Sequence, residues 1–433
     1  MKYAWRLTAL LMAGLLTVGT AAGCAKKPGS SQGGNSTVST ESGADPLAGL
    51  AGSLEGKLIV WVGETAEENF KKIAKSFEEA TGMTVELVPY TGVSATDKLA
   101  LDGPAGNGGD VYVQGGGGVL AKAVDQGLFM ELPEAAFDLQ DFTQSAVDDY
   151  RYDGKLYGLP MGSETPALIY NKALIQTIPD TWEALMEECG KYADIPNDKY
   201  GLLMDPTNPY FTNALFEAKG GYVFKMNNGV YDTSDIGLNN QGVKDTYRMF
   251  KSYFEKGWWQ RNAVFATMEK KFEEGKSPVI YDGPWSVANY QKAGIDVGVA
   301  PLPKLADGGT PLTYSGSYGV CVSEYTKNPR AAVEFMKYCV TEEAVMDYCR
   351  TTGRIPVLDA CLELPEIKDD PIKSGFAEQM KNSIPQPNVP EMDQIWSPML
   401  NAGTLIFSQN ADIDSTLDQA VERIKEQIAL MKS

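Results

Sequence analysis

The start of the folded chain reads as a strand, a helix and a second strand in direct succession, and that succession is the tightest constraint on its architecture. Leu58-Ile59-Val60-Trp61-Val62 is a continuous apolar run of strand length. Behind Glu67 and Glu68, the residues Phe70, Ile73, Ala74 and Phe77 recur at the spacing of one helix face, and Thr81-Gly82 closes the helix before Val85-Glu86-Leu87-Val88. Asp110-Val111-Tyr112-Val113 supplies a third strand. Strands joined through a helix run parallel, because the crossover returns the chain to the starting edge, and parallel strands need cover on both faces. The expected fold class is α/β, with mostly parallel sheets flanked by helices and with ligands beyond the carboxyl ends of the strands. Further along, Asp180-Thr181-Trp182-Glu183 opens a helix with a capping pair, and Ile413, Leu417, Val421, Ile424 and Ile428 form the apolar stripe of a C-terminal helix.

The N-terminal segment bears on location. Lys2 and Arg6, an apolar run from Leu7 to Val18, and Ala21-Ala22-Gly23-Cys24 read as a lipoprotein signal over residues 1–23, with Cys24 as the lipidated first residue of the mature chain. Ala21 stands where Leu is more usual, and the plainer alternative is an ordinary secretory signal with an incidental Cys. Residues 24–54 are rich in Ser, Gly, Thr and Ala, and read as a flexible tether with a reach on the order of 30 Å. The expected location is the extracellular face of a bacterial cell membrane. About 380 residues then remain, enough for two or three domains. No later stretch has the roughly twenty apolar residues of a membrane-spanning helix.

Composition excludes more than it selects. A formal net charge of −19 disfavours nucleic acid and anionic lipid as partners. The chain has no His, which removes Ser-His-Asp and Cys-His catalysis and every His-containing zinc site. The G-x-S-x-G match at Gly29 to Gly33 falls in the tether, where no nucleophile elbow can form, and Gly275-Lys276-Ser277 lacks the first Gly of a phosphate loop. No metal and no cofactor is expected. Beyond Cys24 the cysteines are Cys189, Cys321, Cys339, Cys349 and Cys361, without a C-x-x-C pair. Sequence leaves their pairing open, and buried free thiols are the favoured reading.

A family resemblance rests on seven stretches. Gly154-Lys155-Leu156-Tyr157-Gly158-Leu159-Pro160, Leu168-Ile169-Tyr170-Asn171-Lys172, Pro179-Asp180-Thr181-Trp182, Asn208-Pro209-Tyr210-Phe211-Thr212, Gly220-Gly221-Tyr222-Val223-Phe224-Lys225, Asp282-Gly283-Pro284-Trp285 and Pro387-Asn388-Val389-Pro390 stand in the order found in extracellular solute-binding proteins of carbohydrate ABC transporters. From about Gly56 onward the chain resembles the maltose/maltodextrin-binding members. The resemblance implies a two-lobe periplasmic-binding-protein-like fold, each lobe discontinuous in sequence: residues 55–163 and 303–352 in lobe 1, residues 164–302 and 353–433 in lobe 2. It also implies hinge closure around a ligand, an ABC permease as partner, and a monomer that binds an oligosaccharide without acting as an enzyme.

By the same resemblance, Trp285, Trp396 and Tyr210 match aromatic plates for sugar rings, and Glu164 matches a ligand-binding carboxylate beside the hinge. Glu64, Asn208 and Gln114 are further candidate contacts. The chain departs from the maltose binders at Gln114-Gly115-Gly116-Gly117-Gly118, where those carry a Trp and then an Asp-Arg pair; the glycines leave open space and bare backbone N–H groups suited to a longer or bulkier oligosaccharide. Ser397 and Leu400 likewise replace a Tyr and an Arg. The expected ligand is a malto-oligosaccharide or other α-glucan, with a different oligosaccharide as the alternative. A glycan-cleaving enzyme would need two carboxylates flanking one bond, for which Glu164, Asp205 and Asp282 are available but show no diagnostic spacing. A sugar-sensor module handing its closed form to a signalling partner is a third reading.

Overall fold

The computed structural model describes residues 45–63, 66–90, 95–227, 230–259 and 265–432; the signal peptide and Cys24 lie outside them. Strand β1 (Lys57–Gly63), helix α1 (Glu67–Thr81) and strand β2 (Thr84–Tyr90) form the first unit, and β1 pairs in parallel with β2 and with β3 (Val111–Gly115). Helix α1 buries Phe70, Ile73, Ala74 and Phe77 and stops at Gly82, whose left-handed backbone returns its N–H to the Glu78 carbonyl. Helix α2 (Gly117–Asp125) follows β3 after one residue. Strand β4 (Gly158–Glu164) belongs to the same sheet, whereas β5 (Ala167–Asn171), two residues later, begins another. There it is joined by β6 (Leu202–Leu203), β7 (Val279–Asp282) and β8 (Val297–Ala300), with α3 (Pro209–Ala218) and α4 (Pro284–Lys292) between them. Strand β9 (Thr313–Val322) re-enters the first sheet, followed by α5 (Glu342–Thr352), β10 (Ile355–Pro356), β11 (Ser383–Pro385), α6 (Trp396–Gln409) and α7 (Ile413–Met431). The first sheet runs β10-β4-β9-β3-β1-β2 with β11 beside β9, and the second runs β8-β5-β7-β6.

Strand direction is more mixed than the opening unit implies. Strand β9 is antiparallel to both β3 and β4, and β5 is antiparallel to both β7 and β8. The helical-crossover rule governs β1 to β3, but β9 arrives from the second sheet and its direction is set by where it comes from.

Two main cores result. Leu58, Val60, Phe77, Tyr112, Val320 and Phe335 belong to the first, and Trp182, Phe216, Tyr247, Phe250, Phe407 and Leu417 to the second. In the latter the Tyr247 ring is stacked between Phe216 at 5.5 Å and Phe407 at 5.3 Å. The apolar stripe of α7 is buried as its periodicity predicts. Thr181 caps the helix Trp182–Gly190 by accepting from the Ala184 N–H at 3.3 Å, but the expected capping partner Glu183 turns away and accepts from the Ala306 N–H at 2.8 Å.

Two sequence-based boundaries shift. Val357, Leu358, Cys361 and Ile367 were expected in the second lobe but pack in the first core, because β10 pairs with β4 and keeps the chain there. The last ten residues of the expected tether are docked: Leu47 is fully buried in the first core, Asp45 pairs with Arg330 at 2.7 Å, and the Asn328 side-chain amide donates to the Ser53 carbonyl at 2.7 Å. Leu47 and Leu50, which also packs on the first core, stand in a short Ala- and Gly-rich run that reads as linker rather than as an element.

All five cysteines of the described residues are free and buried. Burial pushes the Cys189 thiol up to about 12 and Cys361 up to about 11, and raises Cys321, Cys339 and Cys349 further. A colorimetric thiol titration of protein beginning at Ala25 is expected to find essentially no reactive thiol in the native state and five after unfolding in denaturant; fewer than five would reveal a disulfide. Leu47→Ala is expected to cost about 2–4 kcal/mol in urea denaturation, whereas no loss would mean that residues 45–54 do not belong to the folded body.

Candidate functional site

A cleft of about 320 Å³ opens where the ends of β3 and β4 and the middle of β9 meet the N-termini of α2, α3 and α4. Its walls include Gly115 to Val119, Asp149, Glu164, Tyr210, Trp285, Ser315 to Tyr318 and Gln386. Each side chain is placed by an element start or end. Pro209 is the first residue of α3 and Pro284 the first of α4, where a missing N–H costs nothing, so Tyr210 and Trp285 stand at the second helical position and face the cleft. Trp285 is 38% exposed, unusual for so large an apolar ring and consistent with a face awaiting a partner. Its ring lies across Gly283, where an added Cβ would come within 2.2 Å of it, so Gly is required beneath the plate. Tyr210 packs edge-on against Phe211 at 5.2 Å, and burial raises its phenol pKa, reinforced by the Glu164 charge.

Glu164, the last residue of β4, meets Arg354 at 3.1 Å, with both side chains about one-sixth exposed or less (15% and 16%). The Arg354 Nε has no aligned acceptor, so this contact is coulombic attraction and not a formed hydrogen bond. The guanidinium lies over the Tyr318 ring at 3.8 Å, which fixes its plane. Burial raises the Glu164 carboxyl above the ordinary range and outweighs the opposing pull of Arg354. The result is a carboxyl held at the cleft wall with unused acceptor capacity. Arg354 and Tyr318 went unsuspected in the sequence; the signal for Arg354 was its place just after Gly353, the left-handed cap that ends α5.

The glycine segment is both wall and turn. Gly117 has φ +65°, which only Gly adopts without strain, and an added Cβ at Gly116 would lie 2.8 Å from Asp149. The expectation of bare backbone N–H groups fails for two of them: Gly116 donates to the Ser317 carbonyl at 2.9 Å and Gly117 to the Asp149 carbonyl at 2.7 Å. Asp149 is 2% exposed, and burial pushes its carboxyl up to about 7 despite a hydrogen bond from Ser317. It was missed because Asp148-Asp149 reads as an ordinary solvated acidic pair.

Thus Glu164, Tyr210 and Trp285 come together, with the glycine segment opposite them. Gln114, Asn208 and Trp396 lie outside the described walls. Gln114 is buried in β3 and its carbonyl accepts from the Tyr150 hydroxyl at 2.5 Å; Asn208 caps α3, accepting from the Tyr210 N–H at 3.0 Å; Trp396 begins α6 and packs half-buried against the second core. Glu64 lies outside the described residues. Among the described residues no His/Cys/Asp/Glu group could hold a metal ion. Of the other carboxylates considered for glycan cleavage, Asp282 binds the Gly283 N–H and the Tyr290 hydroxyl, and Asp205 binds the Thr207 N–H and hydroxyl. Both are committed to holding their turns.

Besides Glu164, burial raises Asp149 to about 7, Glu217 to about 7 and Asp282 to about 6. The folded chain therefore binds more protons than the unfolded chain between the ordinary carboxyl range and about pH 7, and its stability is present below that window and lost as pH rises through it. Glu366, held down at about 2 by Arg350, acts below the window. The urea midpoint is expected to be lower at about pH 7.5 than at about pH 5, with Asp149→Asn flattening the slope. A midpoint rising over this range would contradict the assignment.

The profile of the bacterial extracellular solute-binding protein family matches residues 72–375. A galactooligosaccharide-binding protein of Bacillus subtilis (strain 168) is 32% identical over 380 residues, covering 86% of this chain and 89% of its own. A maltodextrin-binding protein of the same organism is 32% identical over 389 residues, covering 87% and 91%. Among solved structures, a cyclo/maltodextrin-binding protein complexed with maltotetraose superposes with a TM-score of 0.81 at 36% identity, covering 86% of this chain and 97% of that one. The likeness to maltodextrin binders read from the seven sequence stretches is matched by these relatives, and the fold is the two-lobe α/β architecture of its structural neighbours. With the matched region spanning well over half of its length, this chain belongs to the bacterial extracellular solute-binding protein family.

Proposed function

We propose that this protein is a lipid-anchored extracellular receptor that captures an oligosaccharide, a malto-oligosaccharide or other α-glucan, and presents it to the transmembrane subunits of an ABC importer. The observation that carries the reading is the pairing of Trp285 and Tyr210 with the buried Glu164 carboxyl in one cleft. A pyranose has an apolar face of C–H groups and a rim of hydroxyls. The rings meet the face and the carboxyl accepts from the rim, through charge-assisted hydrogen bonds about twice as strong as neutral ones. Two rings, each worth on the order of 1–3 kcal/mol when covered, provide much of a micromolar affinity. Glu164 and Gly115 end strands of the first sheet, with Gly117 to Val119 opening the helix α2 beside it, and Tyr210 and Trp285 lie on helices of the second, so a ligand touching both gains contacts only when the lobes close. The anchor is the acylated Cys24, and the permease reads the closed form. Bond cleavage is no part of this role, in keeping with the family and with the committed carboxylates of Asp205 and Asp282.

A second reading, a galacto-oligosaccharide as ligand, draws on the relative of that name at the same 32% identity and on the glycine wall, which admits a ring of different hydroxyl orientation. Calorimetry against maltose, maltotetraose, a cyclodextrin and a galacto-oligosaccharide separates the two. Micromolar binding that strengthens from maltose to maltotetraose supports the α-glucan; binding of the galacto-oligosaccharide alone selects the second reading; silence to all of them refutes both. Trp285→Ala is expected to weaken binding at least about tenfold. Trp396→Ala, expected from the sequence alone to do the same, should change it less than about threefold, because its ring packs on the second core.

A further inference from the structure

Two side chains of the cleft wall are buried and only partly satisfied. Asp149 is 2% exposed; one carboxyl oxygen takes a hydrogen bond from Ser317, while Oδ2 has no partner. Ser315 is also 2% exposed, and its hydroxyl has no partner. Both line the same cleft. Ser315 and Ser317 lie two residues apart on β9, hence on one face of the strand, and Ser317 is held by the Ser163 hydroxyl at 2.8 Å. Beside them, Gly116 and Gly117 contribute no side chain that would fill the space.

We propose that Asp149 and Ser315 form an inner subsite behind the glycine wall that takes ligand hydroxyl groups, and that this subsite selects among oligosaccharides. The inference rests on the oligosaccharide-receptor reading and names a part of the site within it. Sugar hydroxyls both donate and accept: one donating to Asp149 Oδ2 and one accepting from the Ser315 hydroxyl would satisfy the two orphan atoms. Burying a polar atom without a partner is destabilising, and folded proteins rarely retain one unless something else completes it. The burden falls on the ligand-free protein and is relieved on binding, which makes binding sensitive to whether a hydroxyl is present at that point. The unpartnered Oδ2 is a burden on the ligand-free fold. The carboxyl is thus not there for stability, and its geometry is kept by the Gly117 N–H on its own backbone carbonyl at 2.7 Å.

The test measures affinity and stability together, using maltotetraose and a galacto-oligosaccharide as probes on wild type, Asp149→Ala, Asp149→Asn, Ser315→Ala and Trp285→Ala. Asp149→Ala is expected to bind whichever probe the wild type prefers at least about tenfold more weakly, Ser315→Ala about threefold more weakly, and Asp149→Asn to fall between wild type and Asp149→Ala, because an amide oxygen still accepts. The ligand-free melting temperature of Asp149→Ala should be no lower than that of wild type. Unchanged affinity in Asp149→Ala and Ser315→Ala beside a Trp285→Ala variant that has lost binding overturns the subsite and leaves the cleft standing; so does a melting temperature that falls while affinity holds, which would mark Asp149 as structural or as a site for water alone. A wild type that takes neither probe overturns the underlying reading along with the subsite.

Discussion

Strand β9 is the piece on which the rest of the molecule depends. Its ten residues, Thr313–Val322, pair on one side with β3 and on the other with β4, and β11 lies beside its first three residues. Its two ends sit in different cores, Tyr314 in the second and Val320 to Val322 in the first. Between them the backbone passes through the cleft and contributes Ser315, Gly316, Ser317 and Tyr318 to its wall. A single hydrogen-bonded strand therefore fixes the glycine turn through Ser317, seats the Arg354 guanidinium through the Tyr318 ring, and anchors both cores. Pulling it out would remove the middle of the first sheet and one side of the binding site at once.

The buried charges make sense against that strand. Glu164 and Arg354 come from segments widely separated in sequence and meet where β9 presents an aromatic face. Removing either partner would leave the other charge without compensation in a poorly hydrated place, which is far more destabilising than losing a surface pair. Most ion pairs here are of the surface kind, such as Lys71 with Glu67 and Glu68 on α1, and contribute little. The net charge of −19 is thus largely a matter of the surface, while a few carboxyls such as Glu164 and Asp149 are drawn inward to the cleft wall.

What could be read from the sequence, and what could not, follows from range. The period-3.6 stripe of α1, the apolar runs of β1 to β3 and the stripe of α7 are local patterns, and they foretell their elements well. The places of Trp285 and Tyr210 on the cleft wall were legible because each follows a Pro that starts a helix, within a recognisable stretch. Trp396 and Asn208 sit in equally recognisable stretches but lie outside the described cleft walls, where one packs on the second core and the other caps a helix. Asp149, Arg354 and Tyr318 escaped because their roles arise only when β9 brings distant segments together. Tyr318 to Val322 reads as a core strand, but Thr313 to Ser317, the part that crosses the cleft, has neither clean alternation nor a uniform apolar character. Leu47 escaped for the opposite reason, being one anchor in a composition typical of linkers.

The five sequestered thiols carry a consequence for how the chain reaches its native state. Because none of them is joined to another, no covalent cross-link has to be made, and acquisition of the fold is uncoupled from the redox machinery of whatever compartment receives it. The hazard moves to the interval of folding itself. Cys321 in β9 and Cys339, Cys349 and Cys361 around the first core are open to mispairing only until that core closes over them, so rapid assembly of the first sheet is also the chain's protection against oxidation.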